Sequence, residues 1–435
     1  MISYLRTLWN SADLRRKILF TLLGIFVYRL VTHITVPGVD TAALQQVFAQ
    51  NAALGFFNAL LGGSIDTFSI VLMGLSPYIN ASIIMQLLTV IVPKFEALQK
   101  EGEQGQRTIN RYTRYLALPL AFLQSYGMIL LLNNLGTGTP IIAGTNDPSV
   151  MLPIMISVTA GTMFLMWLGE MMTEKGIGNG ISMLIFVGIV ASLPGVVTQS
   201  ISLAQVDQQQ LVTGGIMLAL TVVMTALIVL FTEGQRLIPI TYAGRSKVGA
   251  AEQSHLPIRV NQAGMIPIIF AVSLVTFPSI LANLFQGSST PWIKAASDAI
   301  LRDFNPNAPG WPYVLIYFLA NLLFTYFYVS VTFNTEQVAE NIQKRGGFVP
   351  GVRPGSQTAE YLRRISYHLC LSGGIFIAAI AVSPYVIQYF FTELGTGSVP
   401  VLLSGAGLII VVGVVLEVIR KINAELVMHD YDRFY

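Results

Sequence analysis

Long apolar stretches alternate with shorter polar gaps along the whole chain, at roughly 18–36, 67–92, 115–133, 151–171, 181–201, 213–232, 263–286, 312–333, 366–386 and 400–419. Each approaches or exceeds the 20 or so residues that cross the hydrocarbon core of a bilayer as a helix. Helices are expected because lipid offers the backbone no hydrogen-bond partner. The pattern predicts ten transmembrane helices, five in a first half over 1–205 and five in a second over 206–435. Five is odd, so halves of similar fold must enter the membrane from opposite faces, a plan common among proteins with a central pathway. The expected fold class is an all-α membrane protein of two inverted five-helix halves.

Charge orients the pattern. The N-terminal segment, every second gap and the C-terminal tail together hold 22 of the 25 Lys and Arg residues. The opposite gaps hold only Lys294 and Arg302, while Arg29 lies inside the first stretch. Basic loops are retained in the cytoplasm, so both termini are expected there. A span count wrong by one would have mixed the two sets of loops. Composition agrees, with 53% hydrophobic and 11% charged residues, against about 25% charged in a soluble domain. Basic residues before the first stretch superficially suggest a signal peptide. No small-residue cleavage site follows, so the reading is an uncleaved first span with an amphipathic leader.

Two gaps on the basic side, 233–262 and 334–365, are much longer than turns require. Their charge is explained equally by topology alone or by an anionic partner; their paired length and Gly/Pro content favour a docking platform. The segment Leu54–Ser64 (LGFFNALLGGS) is apolar but too short to span, and Gly62-Gly63 separates it from the second stretch. It fits either a half-helix folded into the protein from the outer side or a loop resting on the surface.

Catalytic signals are missing. The chain has no GxxxxGK[ST] phosphate loop and no HExxH, and its four histidines lack metal-ligand spacing. The sole cysteine, Cys370, excludes an internal disulfide and a cysteine-based cluster. No enzymatic activity and no cofactor are expected. The spans carry neutral polar groups instead: Ser76, Asn80, Ser82 and Gln86 in the second, Gln124 and Ser125 in the third, Asn321 and Thr325 in the eighth. Such amides can simply bond between helices, and their concentration in three spans also suits a seam that opens. A secondary transporter would call for charged groups at mid-membrane, which are sparse here. A lipid scramblase or insertase remains a third class that composition leaves open.

Several long segments resemble the SecY family of protein-translocation channels. They are SPYINASIIMQLLTV at 76–90, KEGEQGQRTINRYTRY at 100–115, GTMFLMWLGEMMTEKGIGNGIS at 161–182, HLPIRVNQAGMIP at 255–267 and FVPGVRPG at 348–355. They occur in order, and with the ten stretches the resemblance covers nearly the whole chain. Their wording is similar to that of bacterial members.

The resemblance implies a central pore between the halves, closed by a ring of aliphatic side chains and a plug helix. Carried over by motif, the ring is Leu75, Ile79, Ile185, Ile269 and Ile410. The plug is Phe56, Phe57, Asn58, Leu60, Leu61, Gly62 and Gly63, within about 56–64. A lateral gate between spans 2–3 and 7–8 takes in Asn80, Ile83, Gln86, Gln124 and Thr325. Arg245, Lys247 and Arg353 are the implied partner contacts. Leu75 stands where the bacterial motif often has isoleucine. The implied partners are the small subunits SecE and SecG, the ATPase SecA, the translating ribosome, signal-bearing polypeptides and membrane lipid. The implied place is the bacterial cytoplasmic membrane.

Overall fold

The structure, a computed structural model, describes residues 11–40, 44, 67–135, 141–142, 147–206, 208–242, 254–285, 290–304, 310–393 and 405–432. In the first half the helices are α1 (Ala12–Val31), α2 (Ser76–Ile91), α3 (Pro93–Lys100), α4 (Glu103–Leu135), α5 (Pro148–Lys175) and α6 (Gly180–Val206). The second half holds α7 (Gln208–Glu233), β1 (Gln235–Tyr242), β2 (Ser254–Arg259), α8 (Ile266–Phe285) and α9 (Pro291–Asp303), then α10 (Trp311–Thr332) and α11 (Thr335–Lys344). It closes with β3 (Gly347–Phe348), α12 (Ser356–Glu393) and α13 (Gly405–Asp432). The plug residues Phe56, Phe57, Asn58, Leu60, Leu61, Gly62 and Gly63, with Arg245 and Lys247, lie outside the described residues.

Packing brings several of the basic segments together at one end. Leu14 of α1, Ile177 of the α5–α6 turn and Val418, Ile422 and Leu426 of α13 share a cluster. Lys17 Nζ donates to Glu425 Oε1 at 2.7 Å across it. Arg420 of α13 pairs with Glu233, where α7 ends and β1 is about to begin. At the opposite end, backbone bridges Thr35–Ser69 and Val39–Ile142 join segments that the charge pattern assigns to the outside. These contacts bring together the start of α1, the α5–α6 turn, the end of α7 and the C-terminal part of α13 at one end, and first-half segments at the other.

Four helices among the described residues are long and apolar enough to cross a membrane by length and composition: Pro148–Lys175, Gly214–Glu233, Trp311–Lys344 and Ser356–Phe390. The pair α2–α3, bent by 99°, would make a fifth. The bend has a local cause. Val92 precedes Pro93 and is held extended, at φ −104 and ψ 113, because the proline ring clashes with a helical residue before it.

Two expectations need correction. The second apolar stretch is not helical throughout. Residues 67–75 form turns, with Phe68 and Gly74 at positive φ (42° and 53°), and helix starts only at Ser76 with Pro77 in its first turn. Phe68, Val71 and Leu72 are fully covered, so this irregular backbone is sheltered by protein, as membrane depth demands.

The second correction concerns the all-α fold class. Loop 233–262 contains a β-hairpin, and β3 from loop 334–365 adds to it, giving sheet order β2-β1-β3. The hairpin register runs from Gln235↔Arg259 to Ile240↔Ser254, and Tyr242 pairs with Gly347. Ile238, Ile240 and Ile258 bury one face against Ile342, Val349, Leu362 and Ile365 of the other loop and α12. The two loops therefore form one platform with its own core. Gly347 is required there, since a Cβ would stand 2.8 Å from the Tyr242 ring.

Candidate functional site: aliphatic ring and lateral seam

The five aliphatics Leu75, Ile79, Ile185, Ile269 and Ile410 belong to one hydrophobic cluster. They arrive on four helices, α2, α6, α8 and α13, two from each half of the chain. Leu75 is the N-cap of α2, and its carbonyl accepts the amide of Ile79 at 3.0 Å. The pair thus occupies successive turns of one face. Leu75 and Ile410 are buried, whereas Ile79, Ile185 and Ile269 are partly exposed within the cluster.

The same four-residue step recurs on each contributing segment. Ile181 precedes Ile185, Met265 precedes Ile269 and Val414 follows Ile410, and all three join the cluster. Motif comparison with the family passes over this ladder, but i,i+4 spacing reveals it once one rung is placed. The cluster as a whole contains only hydrocarbon and thioether side chains besides the Tyr28 ring. Among the described residues no three or more His, Cys, Asp or Glu side chains are grouped so as to hold a metal ion.

Ile79 also packs against a second cluster, which links the ring to the seam between halves. There Ile83 of α2 is buried against Phe270, Ala271 and Val275 of α8 and Tyr313, Tyr317 and Phe324 of α10. Helix α8 also packs against α4. Helices α2 and α4 thus both meet α8 directly.

The polar residues of the seam divide. Gln124 of α4 is 2% exposed, and neither atom of its amide has a hydrogen-bond partner. Leaving a buried amide unpaired costs about 1–3 kcal/mol. Asn80 and Gln86 on α2 are half-buried. Thr325 faces elsewhere: it lies beside Gly374 of α12 and its hydroxyl donates to the Asn321 carbonyl at 2.7 Å. Asn321 gives its Nδ2 to the Tyr317 carbonyl at 2.8 Å and leaves Oδ1 unpaired. The Tyr313–Tyr317–Tyr385 group, with ring centroids 5.4–6.2 Å apart, closes the second half behind the seam. Sequence reasoning missed it because aromatics dispersed over two spans carry no local signature.

On the platform, Arg353 is exposed and its backbone is fixed. Gly351 and Gly355 take positive φ on either side (83° and 100°), Val349 is buried in the platform core and Thr358 donates to the Arg353 carbonyl at 2.8 Å. The guanidinium is thereby presented outward from a rigid turn. Nearby, burial and then repulsion from Arg420 lower the pKa of Arg259 from its ordinary value, against an opposing pull from Glu233. This basic junction joins the end of α7, the base of the hairpin and α13.

Comparison with known proteins bears on this geometry. The SecY family model matches residues 69–419. The protein translocase subunit SecY of Pseudomonas aeruginosa is 41% identical over 429 residues, covering 97% of this chain and 93% of that protein. Among solved structures, a protein-conducting channel superposes with a TM-score of 0.65 at 18% identity, covering 96% of this chain and 93% of that one. Sec61 in a canine ribosome–channel complex from the endoplasmic reticulum follows with a TM-score of 0.62, 18% identity and the same coverage.

Proposed function

The chain belongs to the SecY family, and from that premise we propose how it acts as the pore-forming subunit of a protein-conducting channel. Ten spans in two inverted halves surround a pore whose throat is the aliphatic ring. The observation that carries this reading is the convergence of Leu75, Ile79, Ile185, Ile269 and Ile410 from both halves into one cluster, three of them only partly covered. A throat of branched aliphatics excludes ions by dewetting when empty. A translocating chain displaces that seal with its own side chains, and the aliphatics close around many sequences because they make no specific hydrogen bonds.

The plug, about 56–64, adds a second seal on the outer side. The seam of α2 and α4 against α8 is the exit for apolar segments into lipid. Its contacts are chiefly hydrophobic, and the unpaired Gln124 amide stabilises the closed state poorly, so opening and wetting of the seam meet a smaller opposing term. Asn80, Ile83 and Gln86 line the same side of α2. The site of action is the bacterial cytoplasmic membrane with both termini inside, supported by the gathering of several of the basic segments at one end. SecE and SecG are the small subunits of the complex. The platform carrying Arg353, with Arg245 and Lys247 in the neighbouring loop, receives the SecA motor or the ribosome. Any ATP hydrolysis belongs to the motor.

The test is reconstitution. The purified chain with its small subunits is placed in vesicles and given SecA, ATP and a signal-bearing preprotein. Protection of the preprotein from protease is expected, and it should vanish without the signal. Protection that is equal with and without the signal would refute the reading.

A further inference from the structure

Helices α10 and α12 pack along much of their length, and where they leave the apolar zone a cleft of about 280 Å³ opens beside α11. Its lining includes Ser330, Thr335, Glu336, Arg363, Ser366 and Tyr367. None of these belongs to the ring, the seam or the partner-facing turn. The cleft holds one cation and one carboxylate, both exposed, and among the described residues neither is engaged in an ion pair. Its floor is polar: Ser366 is 4% exposed and donates to Gln262 Oε1 at 2.7 Å.

The surroundings of the cleft identify its occupant. Arg363, Tyr367, Leu371 and Ile375 follow one another at four-residue steps and so form a single ridge of α12. That ridge passes from cationic to aromatic to aliphatic, and Tyr367, Leu371 and Ile375 are 43%, 43% and 45% exposed. On α10, Leu319 and Leu323 are exposed at 51% and 65%, one turn apart. The Tyr326 and Tyr367 rings stack at 6.3 Å where cleft and stripe meet. Tyrosine at this level, with a cation on the aqueous side and bare aliphatics on the other, marks the headgroup layer of a bilayer.

We propose that this cleft binds a phosphatidylethanolamine, its phosphate on Arg363, its ammonium on Glu336 and its acyl chains along the Leu371–Ile375 and Leu319–Leu323 stripes. A guanidinium forms charge-assisted bonds to phosphate oxygens, and an ammonium carries the N–H donors that a carboxylate needs. An anionic glycerol headgroup has no cation and leaves Glu336 facing a phosphate. A choline headgroup has the cation but no N–H to donate. Soluble phosphoethanolamine shares the polar chemistry and gains nothing from the aliphatic stripes.

The test uses the purified complex of the full chain with its small subunits. It is delipidated in detergent and exposed to equimolar phosphatidylethanolamine, phosphatidylcholine and phosphatidylglycerol, and retained lipid is counted by native mass spectrometry. Retention of phosphatidylethanolamine over phosphatidylglycerol by about tenfold is expected at one site per complex. Arg363→Gln should remove that one bound lipid. Glu336→Gln should keep a lipid but bring the two to near parity. Both side chains are exposed, so the melting temperature of each variant should stay at the parent's value. Wild type that retains phosphatidylglycerol as tightly, or a lipid count indifferent to Arg363→Gln, would overturn the proposal. Displacement of the lipid by an equal concentration of soluble phosphoethanolamine would overturn the lipid assignment.

Discussion

Replacing Ile79 and Ile269 together by serine separates a ring from a packed core, because the two readings differ in what they place at risk. Both side chains are half-buried at the edge of the shared cluster, whereas Leu75 and Ile410 are 6% and 3% exposed. Full burial of an isoleucine side chain is worth about 1.5–3 kcal/mol. A half-covered one therefore forfeits about 1 kcal/mol, and the pair costs about 2 kcal/mol before any coupling between neighbours. A loss of that size leaves most of the protein folded. The serines nevertheless put two hydroxyls where the throat must repel water. Reconstituted in a planar bilayer, the double variant should show resting ion conductance well above wild type at normal abundance. The corresponding Leu75→Ser and Ile410→Ser change strikes covered positions, where large-to-small replacement costs about 2–5 kcal/mol each, so abundance should fall. Phenylalanine or methionine at 79 and 269 should preserve the seal. Low abundance of the Ile79→Ser, Ile269→Ser protein with no added conductance would refute the ring and leave an ordinary core.

Gly161→Ala would set a Cβ 2.0 Å from the Ile70 carbonyl; overpacking against backbone costs about 1–3 kcal/mol and should lower the melting temperature in detergent. Gly195→Ala meets nothing within 4 Å and should leave that temperature unchanged or slightly higher, so equal effects would contradict the packing described for residues 67–75. Arg114 Nε lies 2.8 Å from Glu170 Oε1, whose side chain is 21% exposed. Arg114→Gln should therefore destabilise by about 1–3 kcal/mol, against about 0.3–0.5 kcal/mol for breaking the exposed Glu103–Arg107 pair, as read by thermal unfolding of both variants. Arg353→Glu should sharply reduce SecA-driven translocation at normal channel abundance, because the turn is rigid and the side chain points outward; a near-normal rate would make it a solvated charge.

The expected alternation of loops rests on two independent signals, apolar length and basic charge, that agree along the entire chain. The shared cluster of the proposed ring residues was anticipated only through motif resemblance. Isolated isoleucines in apolar spans carry no signature, and convergence is a tertiary property. The platform strands were obscured by Pro239 and Pro257, since proline inside a run argues against a strand. Both are accommodated by register. Val260 donates to Gly234 at 2.9 Å, so the pairs Pro239↔His255 and Leu237↔Pro257 fall at the positions that exchange no hydrogen bonds. The start of the second apolar stretch misled for a related reason. Hydropathy reports burial but not backbone conformation, and Phe68–Leu75 is covered without being helical. Thr325 was grouped with the seam by span membership alone, while its direction depends on rotation about α10, which neutral side chains at single positions do not encode.

Crosslinking from the ring tests the central claim most directly. A photoreactive amino acid is placed singly at 79, 185, 269 and 410 in the reconstituted complex, and a secretory chain is arrested halfway across by a folded C-terminal domain. If the four positions line the throat, each should crosslink to the arrested chain, and none should do so when the signal sequence is deleted. A chain that is protected from external protease along its translocated part, yet crosslinks to none of the four, would contradict passage through this ring.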